Sequence, residues 1–161
     1  MAQQLWLLRH GDAEPHDTRP DPERRLTPRG ERQAIAAGRA LRALGVEFTA
    51  AYTSPRVRAL DTAKLACEGL GVEPSVDEGL SGGWNADDAR ALMAGHEPDA
   101  RVLVVGHEPD FSQVVFDLIG GRIDLKKGGV AAVRLDGTRA ELFDLLRPKE
   151  LEAIAAAGDR P

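Results

Sequence analysis

Leu5-Trp6-Leu7-Leu8, followed directly by Arg9-His10-Gly11, is the stretch of sequence that decides the fold. The first four residues form a continuous apolar run, which is typical of a short strand buried on both faces of a parallel sheet. The run Val102-Leu103-Val104-Val105 has the same character and is followed by Gly106-His107. Because ligands bind beyond the carboxyl ends of the strands in an open α/β sheet, we expect both histidines at that edge. Two histidines in equivalent positions are a more specific signal than one.

Helical patterns separate these apolar runs. Thr27 and Pro28 supply a cap and a first helical residue for a helix that ends near Gly45. Ser54-Pro55 repeats this start for a helix that runs to about Leu70. The other predicted elements are a loop over 12–26, a strand over 50–53, a weak strand and glycine-rich loop over 72–84, helices over 85–93 and 111–119, a hairpin over 130–146 turned by Asp136-Gly137, and a helix from Pro148. Strands alternating with helices predict a single α/β domain over residues 1–161, with three α/β/α layers and a mainly parallel sheet that has an antiparallel edge.

The composition limits the class of protein. The chain has 161 residues and a net charge of −5, so nucleic acid is not expected as a partner, because that binding depends on basic surface. The single cysteine, Cys67, excludes an internal disulfide framework. No apolar run reaches the length of a membrane span, and residues 1–8 lack the features of a signal peptide. We therefore expect a cytoplasmic protein without a membrane partner.

One pentapeptide occurs twice and provides an internal comparison. Residues 95–99 and 106–110 both read Gly-His-Glu-Pro-Asp. The first copy follows a helical pattern, so His96 is expected at the surface beside a helix end. The second copy follows a buried strand, which favours His107 as the site residue.

Several arginines lie near the predicted edge of the sheet. Arg9 adjoins the first histidine, and Arg56 and Arg58 lie at the start of a predicted helix, where anions bind favourably. Two residues along a helix rotate by about 200°, so Arg56 and Arg58 are not expected in one pocket, and their spacing does not choose between them. Arg24 and Arg25 in the preceding loop can also reach over the site.

Three motifs, in order and at matching separations, resemble the signature of the histidine phosphatase superfamily. They are Arg9-His10-Gly11, Ser54-Pro55-x-x-Arg58-Ala59-x-x-Thr62-Ala63 and Val105-Gly106-His107. The short chain, the stretch Arg24-x-Leu26-Thr27 and the VGHEP sequence make it look like the SixA-type phosphohistidine phosphatases. The resemblance extends over residues 4–146, nearly the whole chain.

This resemblance implies a phosphoglycerate mutase-like fold without a cofactor, and it implies roles for individual residues. His10 is the implied nucleophile. Arg9, Arg58 and His107 would hold the equatorial phosphoryl oxygens, and Arg24 resembles a further arginine on the substrate side. The other residues expected at the substrate are Gly11, Gly106 and Glu108. The implied partner is a protein that carries phosphohistidine, or a small phosphate ester.

These residue types suit phosphoryl transfer, which depends on positioning and charge stabilisation. A histidine nucleophile must be neutral, and nearby arginines lower its pKa because like charges disfavour imidazolium. We therefore expect Arg9 and Arg58 both to bind phosphate and to keep His10 unprotonated. The general acid is open between Glu78 and Glu108. Since a phosphohistidine N–P bond breaks more readily than an alkyl ester, the lack of an obvious acid favours an activated substrate of this kind.

Other interpretations are open at this point. The two histidines could be structural, and the function could be that of a small-molecule phosphatase, a mutase-like enzyme or a non-catalytic phosphoprotein-binding module. The complete set of Arg9, His10, Arg58 and His107 favours catalysis over binding alone. A zinc site is not expected, because no cysteine pair is present and the arginines would repel a metal. Lys126-Lys127 is expected to be a solvated pair unless it faces a protein partner.

Overall fold

The computed structural model describes residues 2–159. Its strands are β1 Gln3–Arg9, β2 Ala50–Thr53, β3 Pro74–Val76, β4 Arg101–Gly106, β5 Val130–Asp136 and β6 Arg139–Leu146. Its helices are α1 Pro28–Ala43, α2 Val57–Leu70, α3 Ala86–Ala94, α4 Asp110–Ile119 and α5 Pro148–Gly158, with short 3-10 helices at Asp21–Glu23 and Glu78–Ser81. Within this range, none of the helices combines the length and the apolar character that crossing a membrane requires.

The six strands form one sheet in the order β3-β2-β4-β1-β5-β6. The first four strands in that order are parallel, whereas β5 runs antiparallel to β1, and β6 antiparallel to β5. Register pairs Arg9 of β1 with Gly106 of β4, so these neighbouring strands end at the same level. The predicted mainly parallel sheet with an antiparallel edge is confirmed.

Helices cover both faces of the sheet. On one face, residues of α1, α2 and α5 pack against Trp6 and Leu8 of β1, and on the other, α3 and α4 pack against Leu5 and Leu7. Strand β1 is therefore apolar at successive positions, because both of its faces lie in a core. The predicted three-layer α/β/α arrangement is confirmed.

Two glycines bring helix α1 into close contact with its neighbours. A Cβ atom on Gly30 would lie 2.0 Å from the carbonyl oxygen of Asp12, and one on Gly38 would lie 2.3 Å from the carbonyl oxygen of Ala66 in α2. Thr27 caps the helix as predicted, since its side chain accepts a hydrogen bond from the Gly30 N–H at 3.1 Å. Helix α1 thus fixes the chain that leaves β1.

The start of helix α2 differs from the prediction. The helix begins at Val57, and Arg56, with φ −62° and ψ 134°, is its extended N-cap residue. The hydroxyl of Ser54 accepts a hydrogen bond from the Arg56 N–H at 3.2 Å, which forms a local turn before the helix. The serine-proline pair therefore precedes the helix and does not open it.

Two smaller differences concern turns. Asp136 pairs with Arg139, so the two residues at the turn of the β5–β6 hairpin are Gly137 and Thr138. Gly137 has φ +61°, a conformation that glycine adopts without strain. The loop predicted over 12–26 contains the first 3-10 helix and a bridge between Ala13 and Leu26.

Candidate active site

His10 and His107 lie side by side at the carboxyl edge of the sheet, each directly after its strand. The backbone N–H of His10 donates to the carbonyl oxygen of Gly106 at 3.1 Å, which extends the ladder between β1 and β4. The two ring centroids are 5.3 Å apart, and the residues are 6% and 7% exposed. The sheet therefore brings together two histidines that are far apart in the chain.

Local hydrogen bonding and burial set the state of the His10 ring. Its Nδ1 lies 2.7 Å from the carbonyl oxygen of Gly11, which can only accept, so Nδ1 carries the proton and Nε2 presents a lone pair. The pKa of His10 is lowered to about 4, mainly by burial; the hydrogen bond to Gly11 opposes this shift, and the charges of Arg58 and Arg9 contribute to it. The direction agrees with the sequence-based expectation, but burial, and not the arginines, is its largest cause.

His107 is also neutral at physiological pH. Burial lowers its pKa to about 3, and the nearby His10 and Arg58 act in the same direction. Its Nε2 lies 2.7 Å from the hydroxyl oxygen of Ser54, which follows the neighbouring strand β2. Three adjacent parallel strands thus each deliver one polar side chain to this edge.

Arg9 and Arg58 flank the histidines. Arg9 is the last residue of β1, and its Nη1 donates to the carbonyl oxygen of Leu125 at 2.9 Å. Arg58, in the first turn of α2, is 6% exposed and donates from Nη1 to the carbonyl oxygen of Asp21 at 2.8 Å. Burial lowers the pKa of both guanidinium groups. Backbone acceptors therefore hold both arginines in defined orientations.

Asp21, which the sequence analysis did not identify, joins three arginines. Its carboxylate accepts hydrogen bonds from Arg24 Nε at 3.0 Å and Arg58 Nη2 at 3.1 Å, and it also contacts Arg56 Nη1. Burial opposes ionisation of Asp21, but hydrogen bonds and charges from Arg24 and Arg58 outweigh it and hold its pKa at about 2. Arg24 also donates to the carbonyl oxygen of Glu14 at 2.6 Å. Arg24, which the sequence analysis expected on the substrate side, is thus engaged within its own loop.

Arg56 and Arg58 point to the same place, so the prediction that one pocket could not hold both was wrong. Each contacts the Oδ2 atom of Asp21. The helical rotation of about 200° for two residues does not apply, because Arg56 precedes α2 with an extended backbone.

The unpaired buried groups of the described range all belong to this cluster. Among residues 2–159, the buried side-chain nitrogens and oxygens without a hydrogen-bond partner are Arg9 Nε, Arg56 Nε, Arg58 Nε and His107 Nδ1. Buried polar atoms are nearly always paired, so each such exception requires an explanation. A small anion with several oxygens could accept hydrogen bonds from groups of this kind, and arginine is well suited to phosphate.

Gly11 packs against helix α1 and links to α2. A Cβ atom at Gly11 would lie 2.5 Å from the carbonyl oxygen of Gly30, so no other residue fits there without a shift. The Gly11 N–H donates to Thr62 Oγ1 at 3.1 Å, and that hydroxyl donates to the carbonyl oxygen of Arg58 at 2.6 Å. Thr62 therefore connects the segment that follows His10 to the helix that carries Arg58.

Gly106 allows a similar close approach below His107. A Cβ atom at Gly106 would lie 2.7 Å from the ring of Phe111, which belongs to the core on that face. The close contacts at Gly11 and Gly106 are thus with protein groups, and the expected contact of either glycine with substrate remains a prediction.

The two carboxylates considered as the general acid lie in different surroundings. Glu108 is half-buried and accepts hydrogen bonds from the backbone N–H of Ser112, at 2.7 Å, and from the Ser112 hydroxyl. Glu78 is exposed at the start of the second 3-10 helix. Within residues 2–159, no hydrogen bond joins either carboxylate to His10 or His107.

Lys126 and Lys127 are both exposed, as predicted for a solvated pair, and Lys127 also lies near the site. Its Nζ lies 3.8 Å from a carboxylate oxygen of Asp12, and its charge lowers the pKa of His10. The loop is held there because the Gly128 N–H donates to the carbonyl oxygens of Arg9 and His10 at 3.1 and 2.9 Å. Apolar periodicity carries no signal for such a loop, and only the glycine pair after Lys127 marks a tight turn.

His96 lies away from this edge. Its carbonyl oxygen accepts a hydrogen bond from the side chain of Gln3 at 3.4 Å, at the beginning of β1. It is partly buried, and its Nε2 is 2.9 Å from the Tyr52 hydroxyl. The described part of the chain contains no cluster of three or more His, Cys, Asp or Glu side chains that could hold a metal ion.

Comparison with known proteins agrees with this geometry. A family model described as the histidine phosphatase superfamily (branch 1) matches residues 5–83. The structure of the protein histidine phosphatase SixA complexed with tungstate has a TM-score of 0.82 and 26% identity, and the match covers 92% of this chain and 99% of that chain. The predicted phosphoglycerate mutase-like fold is confirmed by this structure.

Two relatives give further sequence matches. An uncharacterised protein of Picosynechococcus sp. is 35% identical over 92% of this chain and 98% of its own length. A 2,3-bisphosphoglycerate-dependent phosphoglycerate mutase of Bartonella tribocorum is 41% identical, but the match covers 44% of this chain and 36% of the mutase. The chain therefore resembles a part of the mutase and the whole of SixA.

Proposed function

We propose that this chain, which belongs to the histidine phosphatase superfamily, removes the phosphoryl group from phosphohistidine in a protein through a covalent intermediate on His10. That the chain is a phosphatase follows from its family and from its likeness to SixA. The covalent intermediate, the residue roles and the protein substrate are the parts proposed here.

One observation carries the proposal. His10 is a neutral imidazole with its Nε2 lone pair free, beside His107 and near the charges of Arg58 and Arg9. Three buried arginine Nε atoms, of Arg9, Arg56 and Arg58, and the Nδ1 of His107 have no hydrogen-bond partner in the described range. A nucleophile needs a lone pair, and a phosphoryl group needs several donors for its oxygens. The cluster supplies both within one buried region.

In the proposed first step, the Nε2 lone pair of His10 attacks phosphorus. The new N–P bond forms as the bond between phosphorus and the leaving group breaks, and the leaving group takes up a proton from solvent. Arg9, Arg58 and His107 stabilise the charge on the phosphoryl oxygens, as the family resemblance implies, and the position of Arg56 adds a further cation. Burial supports this step, since it keeps His10 unprotonated at neutral pH.

In the proposed second step, a water oxygen attacks phosphorus. The N–P bond to His10 breaks as the water loses a proton to solvent, inorganic phosphate leaves, and the imidazole regains its lone pair. Two steps with moderate barriers replace one difficult displacement, which is the advantage of a covalent intermediate.

The surroundings of the carboxylates support phosphohistidine as the substrate. Both Glu108 oxygens already accept hydrogen bonds from Ser112, and Glu78 is exposed. Neither is therefore placed as a strong general acid for an alkoxide leaving group. Imidazole leaves from phosphorus more readily than an alkoxide does, so a phosphohistidine substrate depends less on such an acid.

The substrate is tested with a histidine-phosphorylated protein, free phosphohistidine and a panel of alkyl and sugar phosphates. We expect the highest kcat/KM with the phosphorylated protein. Turnover of the esters alone would refute the substrate, although the chain would remain a phosphatase.

The repeated pentapeptide provides a matched pair of variants. His107→Ala removes a proposed phosphoryl-binding side chain, whereas His96→Ala makes the same change in the same local sequence at the opposite edge of the sheet. We expect a large loss of kcat in the first variant and wild-type kcat in the second. Equal activities would remove His107 from the mechanism.

A small phosphate ester is the second candidate substrate. The match to part of a bisphosphoglycerate-dependent mutase favours it. Transfer of the phosphoryl group between substrate hydroxyls, followed by ³¹P NMR, distinguishes a mutase from a hydrolase. Release of inorganic phosphate alone would exclude the mutase activity.

A further inference from the structure

Ser54 is a buried hydroxyl at the same edge of the sheet as the two histidines. It follows β2, and its backbone N–H donates to the carbonyl oxygen of Val105 in β4 at 3.0 Å. Its side chain is fully buried, with the hydroxyl oxygen 2.7 Å from Nε2 of His107. The hydroxyl therefore acts directly on a ring that the proposed reaction uses.

We propose that Ser54 is a positioning residue, which fixes His107 in the tautomer with the proton on Nδ1 and so makes Nδ1–H a donor to the phosphoryl group. This role rests on the proposed function, because it specifies how His107 meets the substrate. Ser54 belongs to the second of the three sequence motifs. In this role it orients His107, which belongs to the third.

The hydrogen bonds of Ser54 determine the direction of donation. Its Oγ accepts from the backbone N–H of Arg56 at 3.2 Å and contacts His107 Nε2 at 2.7 Å. A serine hydroxyl has one proton to donate. If Nε2 carried the ring proton, both neighbours would donate to Oγ, and neither would be left to accept the hydroxyl proton. Donation from Ser54 to Nε2 gives every group at the Ser54 hydroxyl a partner, so the ring proton lies on Nδ1.

The two histidines then present opposite atoms to the substrate although they are the same tautomer. In His10 the Gly11 carbonyl holds Nδ1–H, which leaves the Nε2 lone pair free to attack. In His107 the Ser54 hydroxyl holds Nε2, which leaves a buried Nδ1–H without a partner in the described range. One ring is prepared as a nucleophile and the other as a hydrogen-bond donor. A lone pair on Nδ1 of His107 would instead repel a phosphoryl oxygen.

The tautomer is measured on the free wild-type protein by long-range ¹H–¹⁵N NMR of the imidazole rings. The chain has four histidines, so His107→Gln assigns the resonances. We expect a pyrrole-type Nδ1 and a pyridine-type Nε2 for His107 at neutral pH. The reverse pattern would overturn the proposal without any need for a variant.

Two variants test the role of the hydroxyl. Ser54→Ala should remove the tautomer preference of His107 and lower kcat by about 10-fold to 100-fold, less than the 100-fold to 1000-fold expected when an oxyanion donor is lost outright. Thr53→Val is the matched control, since Thr53 is fully buried and its hydroxyl donates to the carbonyl oxygen of Ser54 at 3.1 Å without touching His107. It should keep both the tautomer and kcat.

The outcomes separate this role from the proposed function. If Ser54→Ala keeps the Nδ1 proton and wild-type kcat, Ser54 has no positioning role, whatever the substrate is. If wild-type protein has the expected tautomer but hydrolyses no phosphohistidine, the proposed substrate fails and the assignment of Ser54 to the His107 tautomer stands.

Discussion

Acidifying the free enzyme from pH 8 to pH 4 tests whether His10 remains neutral. Its folded pKa is about 4, against 6.5 for an ordinary histidine. Each pH unit between the pH and the pKa changes the ratio of neutral to protonated imidazole tenfold. At pH 5, a pKa of about 4 therefore gives about 90% neutral imidazole, and a pKa of 6.5 gives about 3%. If only the neutral ring attacks, kcat/KM at pH 5 differs by about thirtyfold between the two cases.

Arg58→Met tests whether burial or the charge of Arg58 is the main cause of the low pKa of His10. This change removes one cation and keeps a long apolar side chain in its place. Because burial is a larger cause than the charge of Arg58, the pKa of His10 should rise but stay well below 6.5.

Both values are measured by ¹³C NMR of Cε1-labelled histidine, with His10→Gln to assign the signal. The free enzyme is used because a phosphate ester titrates in the same range and would distort a kinetic profile. A wild-type midpoint near 6.5 would refute the claim that burial keeps the His10 imidazole neutral. A return to 6.5 in Arg58→Met would show that the arginine, and not burial, is the cause.

Three further predictions concern stability and anion binding. His10 and His107 have folded pKa values, about 4 and about 3, below the unfolded value of 6.5, so their contribution to stability is present above pH 6.5 and is lost as the pH falls through the folded values. Urea unfolding should therefore show a loss approaching 1.4 kcal/mol per pH unit for each histidine between about pH 6.5 and 4, and a double Gln variant that retains this slope would contradict it. Gly38→Ala should destabilise the protein by about 1–3 kcal/mol, because its Cβ would lie 2.3 Å from a backbone oxygen. Gly69→Ala, whose Cβ would have its nearest neighbour at 3.7 Å, should stabilise the protein by about 0.5–1 kcal/mol. Equal shifts in the Tm of the two variants would refute the close contact between helices α1 and α2. The carboxylate of Asp21 contacts three arginines and would compete with phosphate for them. Inorganic phosphate should therefore raise the Tm of the Asp21→Asn variant more than the Tm of wild type, and an equal rise would contradict this competition.

The edge of the sheet that carries the site could be predicted from the sequence, because the signals are local. Burial on both faces makes β1 and β4 apolar at successive positions, and the residue after each strand necessarily lies at the carboxyl edge. Pairing of Arg9 with Gly106 then brings His10 and His107 together. The same context separates His107 from His96, although the surrounding letters are identical.

Features that depend on distant contacts or on small shifts in a boundary could not be predicted in this way. Helical-wheel geometry fails for Arg56, because a turn at Ser54 moves the start of α2 by two residues. Asp21 meets Arg56 across 35 residues of chain, in a loop without periodicity. Lys127, whose charge also lowers the pKa of His10, lies in a second loop without periodicity.

Trapping of the phosphoenzyme tests the central claim most directly. Enzyme is mixed with ³²P-labelled phosphohistidine protein, quenched within milliseconds and digested, and the labelled peptide is sequenced. We predict an acid-labile, alkali-stable label on residue 10, present in His96→Ala and absent from His10→Ala. Label on any other residue, or turnover by His10→Ala at the wild-type rate, would contradict nucleophilic attack by this imidazole.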